Sequence, residues 1–265
     1  MIRGILFDLD GTLWFKGKMI EGTTECLEWA RERGLKVRIV TNVDSRTGEM
    51  LRQDFADRGL RIAPGEIYTP ADAALTLVRQ NSGKKFHFLV SRILTPLFEP
   101  FSIDNPPSDV VVVGDFRDNF SYERFNMAFR HLLEGAELVA LQKGKYYIRA
   151  EGPLIDTGAF VVALEYASGK TARVLGKPEK EFFSACLGEM GLSAAEVVVV
   201  GDDVTTDIEG AAAIGAAGIL VRTGKYRAGD EARLRVLPPL FEVIDSVKEL
   251  PRVLESITGD SSDSQ

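Results

Sequence analysis

A chain of 265 residues, 45% of them apolar, is long enough for one or two domains with a sizeable buried core. Acidic residues outnumber basic ones, 39 to 32, for a net charge of -7. This argues against a nucleic-acid or anionic-membrane binder but leaves an anionic small molecule open, because a local lysine or cation can reverse the field in one cleft.

In chain order, Gly4 to Phe7 is a short apolar run that reads as a buried strand. Thr23 to Arg33 has a helical apolar face of Cys26, Leu27, Trp29 and Ala30, closed by Gly34. Leu35 to Val40 is the next strand, and Ser45 to Arg58 a second helix ending at Gly59. This βαβα order implies a parallel sheet with right-handed crossovers. From about Ala71 to Lys170 the pattern changes: proline clusters, a strand at Val110 to Val113, a helix around Tyr122 to Leu133, and a hairpin expected near Leu138 to Arg149. The last third returns to the first grammar. A helix runs through Met190 with Pro178 in its first turn, followed by a strand at Val197 to Val200, a helix at Ile208 to Ile214 and a strand at Gly218 to Val221.

The expected architecture is therefore α/β: a doubly wound parallel core from 1–70 and 171–255, with an inserted smaller α/β module at 71–170. The polar, aperiodic stretch 256–265 is expected to be disordered. Cys26 and Cys186 lie on apolar helix faces and read as reduced, buried thiols. The start of the sequence lacks a signal-peptide pattern and the longest apolar runs are strand-length, so a cytoplasmic setting without membrane insertion is expected.

Four short motifs carry the chemistry: Asp8-Leu9-Asp10-Gly11-Thr12, Thr41-Asn42, Gly176-Lys177-Pro178 and Gly201-Asp202-Asp203-Val204-Thr205-Thr206-Asp207. Three follow a predicted parallel strand, the sheet edge where α/β folds bind ligands. So many carboxylates need a cation, and oxygen donors suit Mg²⁺, with Asp8 and Asp202 the best direct ligands. The metal, Lys177 and the backbone N–H groups from Asp10 through Gly11 to Thr12 would form a cationic cradle for a phosphoryl group. One aspartate of the first motif can attack phosphorus, and the other can protonate the leaving alcohol. Lys177 would shield the charge, and Thr41, followed by Asn42, would bind a phosphoryl oxygen.

These motifs, in this order, resemble the four signatures of the haloacid dehalogenase superfamily. The large insert between the second and third is similar to the bigger cap type of subclass IIA. The segments 133–137, 163–167, 176–179 and 221–226 resemble one branch of it. The resemblance implies a small-metabolite phosphatase that uses Mg²⁺ and a mobile cap, with pairing of copies through the caps. It implies Asp8 as nucleophile and metal ligand, and Asp10 as acid/base whose carbonyl also meets the metal. Thr41 and Lys177 would bind phosphate, Asp202 would bind metal, and Asp203 and Asp207 would steady the site from behind. The cap turn Asp156-Thr157-Gly158 is a candidate for substrate contact, or a plain helix cap.

Asp44, close behind Thr41, departs from that pattern and would bring negative charge to the cradle unless it points away. A phosphoryl-binding, receiver-like module without turnover is the alternative class, although receivers are about half this length and carry no such insert. Val110 to Gly114 with Asp115 imitates the fourth motif and reads as a turn after a cap strand. His87 and His131 read as packing or surface residues.

Overall fold

The computed structural model describes residues 1–149 and 152–259. In chain order the strands are β1 (Gly4–Phe7), β2 (Trp14–Phe15), β3 (Lys18–Met19), β4 (Lys36–Val40), β5 (Ile67–Tyr68), β6 (Phe86–Leu89), β7 (Val110–Val113), β8 (Glu137–Ala140), β9 (Tyr146–Arg149), β10 (Gly152–Ile155), β11 (Arg173–Val174), β12 (Val197–Gly201), β13 (Ala217–Val221) and β14 (Phe241–Ile244). The α-helices are α1 (Thr23–Glu32), α2 (Gly48–Ala56), α3 (Pro70–Gln80), α4 (Thr95–Phe98), α5 (Tyr122–Leu133), α6 (Thr157–Ser168), α7 (Lys180–Met190), α8 (Glu209–Ile214) and α9 (Leu250–Gly259). None is long and apolar enough to cross a membrane.

The chain divides into two compact units. The first comprises 1–41, 52–68 and 177–265; the second comprises 42–51 and 69–176.

The first unit holds a six-stranded sheet, ordered β14-β13-β12-β1-β4-β5, with every pairing parallel. Its central strands are buried along their whole length: Gly4 to Phe7 in β1 and four consecutive valines plus Gly201 in β12. Strands covered on both faces show such unbroken apolar runs rather than alternation. Beside the sheet, β2 and β3 form a small antiparallel hairpin. Lys16 and Gly17 both have positive φ there, 48° and 82°, as a two-residue hairpin turn matched to strand twist requires.

The second unit has its own parallel sheet, ordered β11-β8-β7-β6, and a hairpin of β9 with β10. Side chains alternate across that sheet. Val110 and Val112 join Val139 and Leu141 in one buried cluster with Phe86, Phe88 and Phe98. Val111 and Val113 join Leu138 and Ala140 in another with Phe116, Leu132 and Val161. The period of two thus gives this unit a core on both faces. A Thr69–Asp72 capping box with Pro70 opens α3, and Asp156 caps α6.

Several sequence expectations shift. Leu138 to Arg149 is not a hairpin: Leu138 belongs to β8, which is buried between β7 and β11, and the hairpin forms one strand later. Pro178 stands in the turn before α7 rather than inside its first turn. Residues 173–174 pair with β8, so the inserted sheet reaches past 170. Residues 42–51 group with the second unit, although they precede β5 of the first. Of the stretch expected to be disordered, 256–259 are helical, and 260–265 lie outside the described residues.

Candidate active site

Strand register sets the first unit's site. Phe7 is paired with Ile39 on one side and with Val200 on the other. Asp8, Thr41 and Asp202 therefore leave three adjacent strands at the same edge, each within two residues of that row. The Asp8 N–H still donates to Val200 O at 2.8 Å, which holds the first residue past β1 in the ladder. Asp8, Thr41, Lys177, Asp202 and Asp207 are all buried.

Lys177, 3% exposed, joins two of these carboxylates. Its Nζ lies 2.5 Å from Asp8 Oδ1 and 2.7 Å from Asp207 Oδ1. Burial works against the ammonium, but the facing carboxylates of Asp207 and Asp8 outweigh it and hold Lys177 above the usual lysine range. One lysine does not neutralise the cluster. Asp8, Asp202 and Asp207 each offer an oxygen within 4.8 Å of the others. Burial, then the charge of Asp8 and Asp207, pushes Asp202 well above the carboxylate range. Burial raises Asp207 to about 7 despite Lys177. Meanwhile Asp8 Oδ2 is buried without a hydrogen-bond partner. An unpartnered carboxylate oxygen among oxygen-only donors, beside carboxyls pushed toward protonation, fits a hard divalent cation such as Mg²⁺.

The donors are not equivalent. Asp207 has both oxygens engaged, Oδ1 by Lys177 and Oδ2 by the Asp203 N–H at 3.1 Å. Asp202 Oδ2 accepts from the Lys225 N–H at 2.6 Å. Asp203 caps the turn that follows by accepting from Thr205 N and Oγ1. That turn, Val204–Ile208, is a single π-helical turn, a wide turn that recurs at functional sites, and it bears Asp207.

Asp10 is exposed while Asp8 is buried, so the two aspartates of one motif meet different surroundings. The backbone N–H groups of Gly11 and Thr12 are spent within the turn, on Trp14 O and Leu9 O. The expected N–H cradle is therefore not offered by these two residues. Gly11 has φ 105°, and a Cβ there would lie 2.1 Å from Asp202 Oδ2. Thr12 Oγ1 is buried without a partner. Asn42 follows Thr41 directly but groups with the second unit.

The loop after β13 was missed as a contributor. Thr223 Oγ1 donates to Gly11 O. A Cβ on Gly224 would meet Asp202 Oδ2 at 2.0 Å, and Lys225 places a second lysine by the acids, 4.0 Å from Asp203. Its signal was position: Thr-Gly-Lys follows another parallel strand at the same sheet edge.

In the second unit, the Arg117 guanidinium holds Asp115 through two hydrogen bonds of 2.7 and 2.6 Å, in the turn after β7. His87 and His131 are buried and stacked, centroids 4.3 Å apart. His131 Nδ1 accepts from the Ser108 N–H, a packing role. Asp156 caps α6 through the Thr157 N–H at 2.8 Å.

A haloacid dehalogenase-like hydrolase profile matches residues 5–99, and a HAD-hydrolase-like profile matches 174–250. The chain is 38% identical over 245 residues to mouse haloacid dehalogenase-like hydrolase domain-containing protein 2, covering 92% of this chain and 93% of that one. It is 38% identical over 237 residues to the Xenopus laevis phospholysine phosphohistidine inorganic pyrophosphate phosphatase, 87% of each. Among solved structures, the 4-nitrophenylphosphatase of Thermotoga maritima superposes with a TM-score of 0.86 at 25% identity, over 95% of this chain and 97% of that one. NagD of E. coli superposes at 0.83 with 28% identity, over 94% and 98%.

Proposed function

The chain belongs to the haloacid dehalogenase-like hydrolases, and from that premise we propose that it is a Mg²⁺-dependent phosphatase cleaving small phosphorylated metabolites through an aspartyl-phosphate on Asp8. One observation carries this reading: Asp8 is buried, with one oxygen on Lys177 and the other unpartnered, in a cluster with Asp202 and Asp207.

In the first step an Asp8 oxygen attacks phosphorus, and the bond to the departing oxygen breaks. Asp10, open to solvent, gives that oxygen its proton. In the second step Asp10 takes a proton from water, which attacks the phosphoryl group and releases phosphate and the Asp8 carboxylate. Lys177 and Thr41 hold the phosphoryl oxygens, with Gly11 and Thr12 around them. Asp8, Asp202 and the Asp10 carbonyl would hold the cation, with Asp203 and Asp207 behind. When bound, Mg²⁺ supplies charge neutralisation for the carboxylates and the phosphoryl group.

The second unit carries selectivity through the turn at Asp156, Thr157 and Gly158. Reduced, buried Cys26 and Cys186 support a cytoplasmic setting. Exposed Ile155, Val162 and Tyr166 support pairing of two copies through this unit, which light scattering would detect.

The test is phosphate release from pyrophosphate, 4-nitrophenyl phosphate, phospholysine, sugar phosphates and nucleoside monophosphates, with and without Mg²⁺, for the wild type and Asp8→Asn. Release should require Mg²⁺ and vanish in the variant. Retained activity in Asp8→Asn removes the nucleophile assignment. Binding of Mg²⁺ and phosphate without turnover would leave a receiver-like binding module.

A further inference from the structure

Asp44, the departure from the family pattern behind Thr41, has a partner of its own. It is buried within the second unit, 4% exposed, where Oδ2 accepts from Thr157 Oγ1 at 2.7 Å across 113 residues of sequence. Thr157 opens α6, and its own N–H is held by the Asp156 carboxylate. The same turn is gripped elsewhere. The Asp156 N–H donates to Lys145 O at 3.2 Å and the Gly158 N–H to Gly144 O at 3.0 Å. Arg117 Nη1 donates to Ile155 O at 2.9 Å, with its guanidinium clamped by Asp115 and lying over the Tyr147 ring at 4.4 Å. A Cβ on Gly158 would sit 2.5 Å from Gly144 O. The backbone of the turn is thus held at several points, and the Asp44 carboxylate adds a side-chain anchor to the segment leaving Thr41.

Keeping a carboxylate there is costly. Burial first, and then the charge of Asp156, raises Asp44 to about 7, against the pull of Thr157. The hydrogen bond to Thr157 is thus held against a burial cost.

We propose that Asp44 is a positioning residue for substrate selection: through Thr157 it fixes the Asp156–Gly158 turn, so that the turn meets substrate in a single conformation. This rests on the reading of that turn as the selector. Asp44 touches no reacting atom. Its contribution is preorganisation, which lowers the ordering cost of binding and leaves the chemical step unchanged.

The experiment takes the best substrate of the panel and measures KM and kcat for Asp44→Ala, Thr157→Val, Asp44→Asn, Thr157→Ser and Asp156→Ala. Loss of one buried hydrogen bond to a carboxylate should raise KM about tenfold in Asp44→Ala and Thr157→Val, with kcat within about twofold. Asp44→Asn and Thr157→Ser keep an acceptor and a donor and should restore KM. The double variant Asp44→Ala/Thr157→Val should be no worse than the poorer single variant. Thr157→Val keeps the side-chain shape and carries the test if Asp44→Ala does not fold.

Hydrogen exchange over 153–160 should quicken in Thr157→Val, a readout independent of turnover. Unchanged KM in both removals, with KM altered in Asp156→Ala, overturns the positioning role and leaves the selector. Unmoved KM in Asp156→Ala overturns the selector and the inference together. Parallel losses in kcat and melting temperature without a KM change reduce Asp44 to structural support. Unchanged exchange in Thr157→Val also overturns it.

Discussion

Lys177 and Asp44 are two buried charges with opposite accounts. Lys177 is stabilised by what surrounds it, and removing it strands Asp8 and Asp207 in the interior. Lys177→Met should abolish turnover and destabilise the cation-free protein by about 3 kcal/mol or more, measured by denaturant unfolding. Added Mg²⁺ should restore part of that loss, since a cation can answer the same carboxylates. Absence of any recovery would count against the cation site.

Asp44 behaves in reverse. Its carboxyl titrates near 7 in the fold, against an ordinary value of 3.8, with Asp156, Thr157 and the Arg117-paired Asp115 around it. Between those values the unfolded chain releases a proton that the folded chain keeps. The contribution of Asp44 is thus intact below about pH 4 and is lost as pH rises through about 7. The melting temperature of Asp44→Asn minus that of the wild type should climb over this window and level off above it; a flat difference would show that Asp44 is not held protonated. At this scale Asp8, Lys177 and Asp202 were legible because each sits in a short local motif. The partners of Asp44 and Lys225 were not, because they lie 113 and 23 residues away along the chain and no local pattern announces them.

At the scale of elements, the central strands of the first unit and several helices follow from apolar runs, caps and closing glycines. Gly4 to Phe7, Val110 to Val113 and the helix at Tyr122–Leu133 stand where the sequence puts them. The misses have physical causes. Periodicity cannot tell a strand paired in parallel from one in a hairpin, which is why Leu138 was assigned to the wrong partner. The π turn at Val204–Ile208 differs from an α turn only by one extra residue, and its sequence looks helical.

The turn after β1 gives this level its prediction. Gly11 holds φ 105°, and its missing Cβ leaves room for the Asp202 carboxylate. Gly11→Ala brings both backbone strain and a clash. Mg²⁺ affinity by titration calorimetry and turnover should both fall at least about tenfold, while far-ultraviolet circular dichroism stays native, because the β1 ladder ends before the turn. Unaltered Mg²⁺ affinity would mean that the turn does not shape the cation site.

For the whole molecule, the change of grammar near Ala71 led to the expectation of an inserted module over 71–170, and the second compact unit runs over 42–51 and 69–176. The sequence could not show that Asn42–Leu51 groups with that unit, because membership there is decided by tertiary contacts: Met50 on the aromatic cluster of Phe86 and Phe98, and Asp44 on Thr157. A test of autonomy follows. Residues 69–176 contain a complete four-stranded parallel sheet with buried side chains on both faces, so the fragment should melt cooperatively by circular dichroism. It should melt below a fragment in which 42–51 is restored through a flexible linker, because it lacks Met50 and leaves the Thr157 hydroxyl buried without its acceptor. It should release no phosphate, since Asp8, Lys177 and Asp202 all lie outside it. Thr157→Val should then destabilise the linked form and not the bare fragment, whose acceptor is already gone. An equal effect in both forms would mean that Thr157 is stabilised by something other than Asp44.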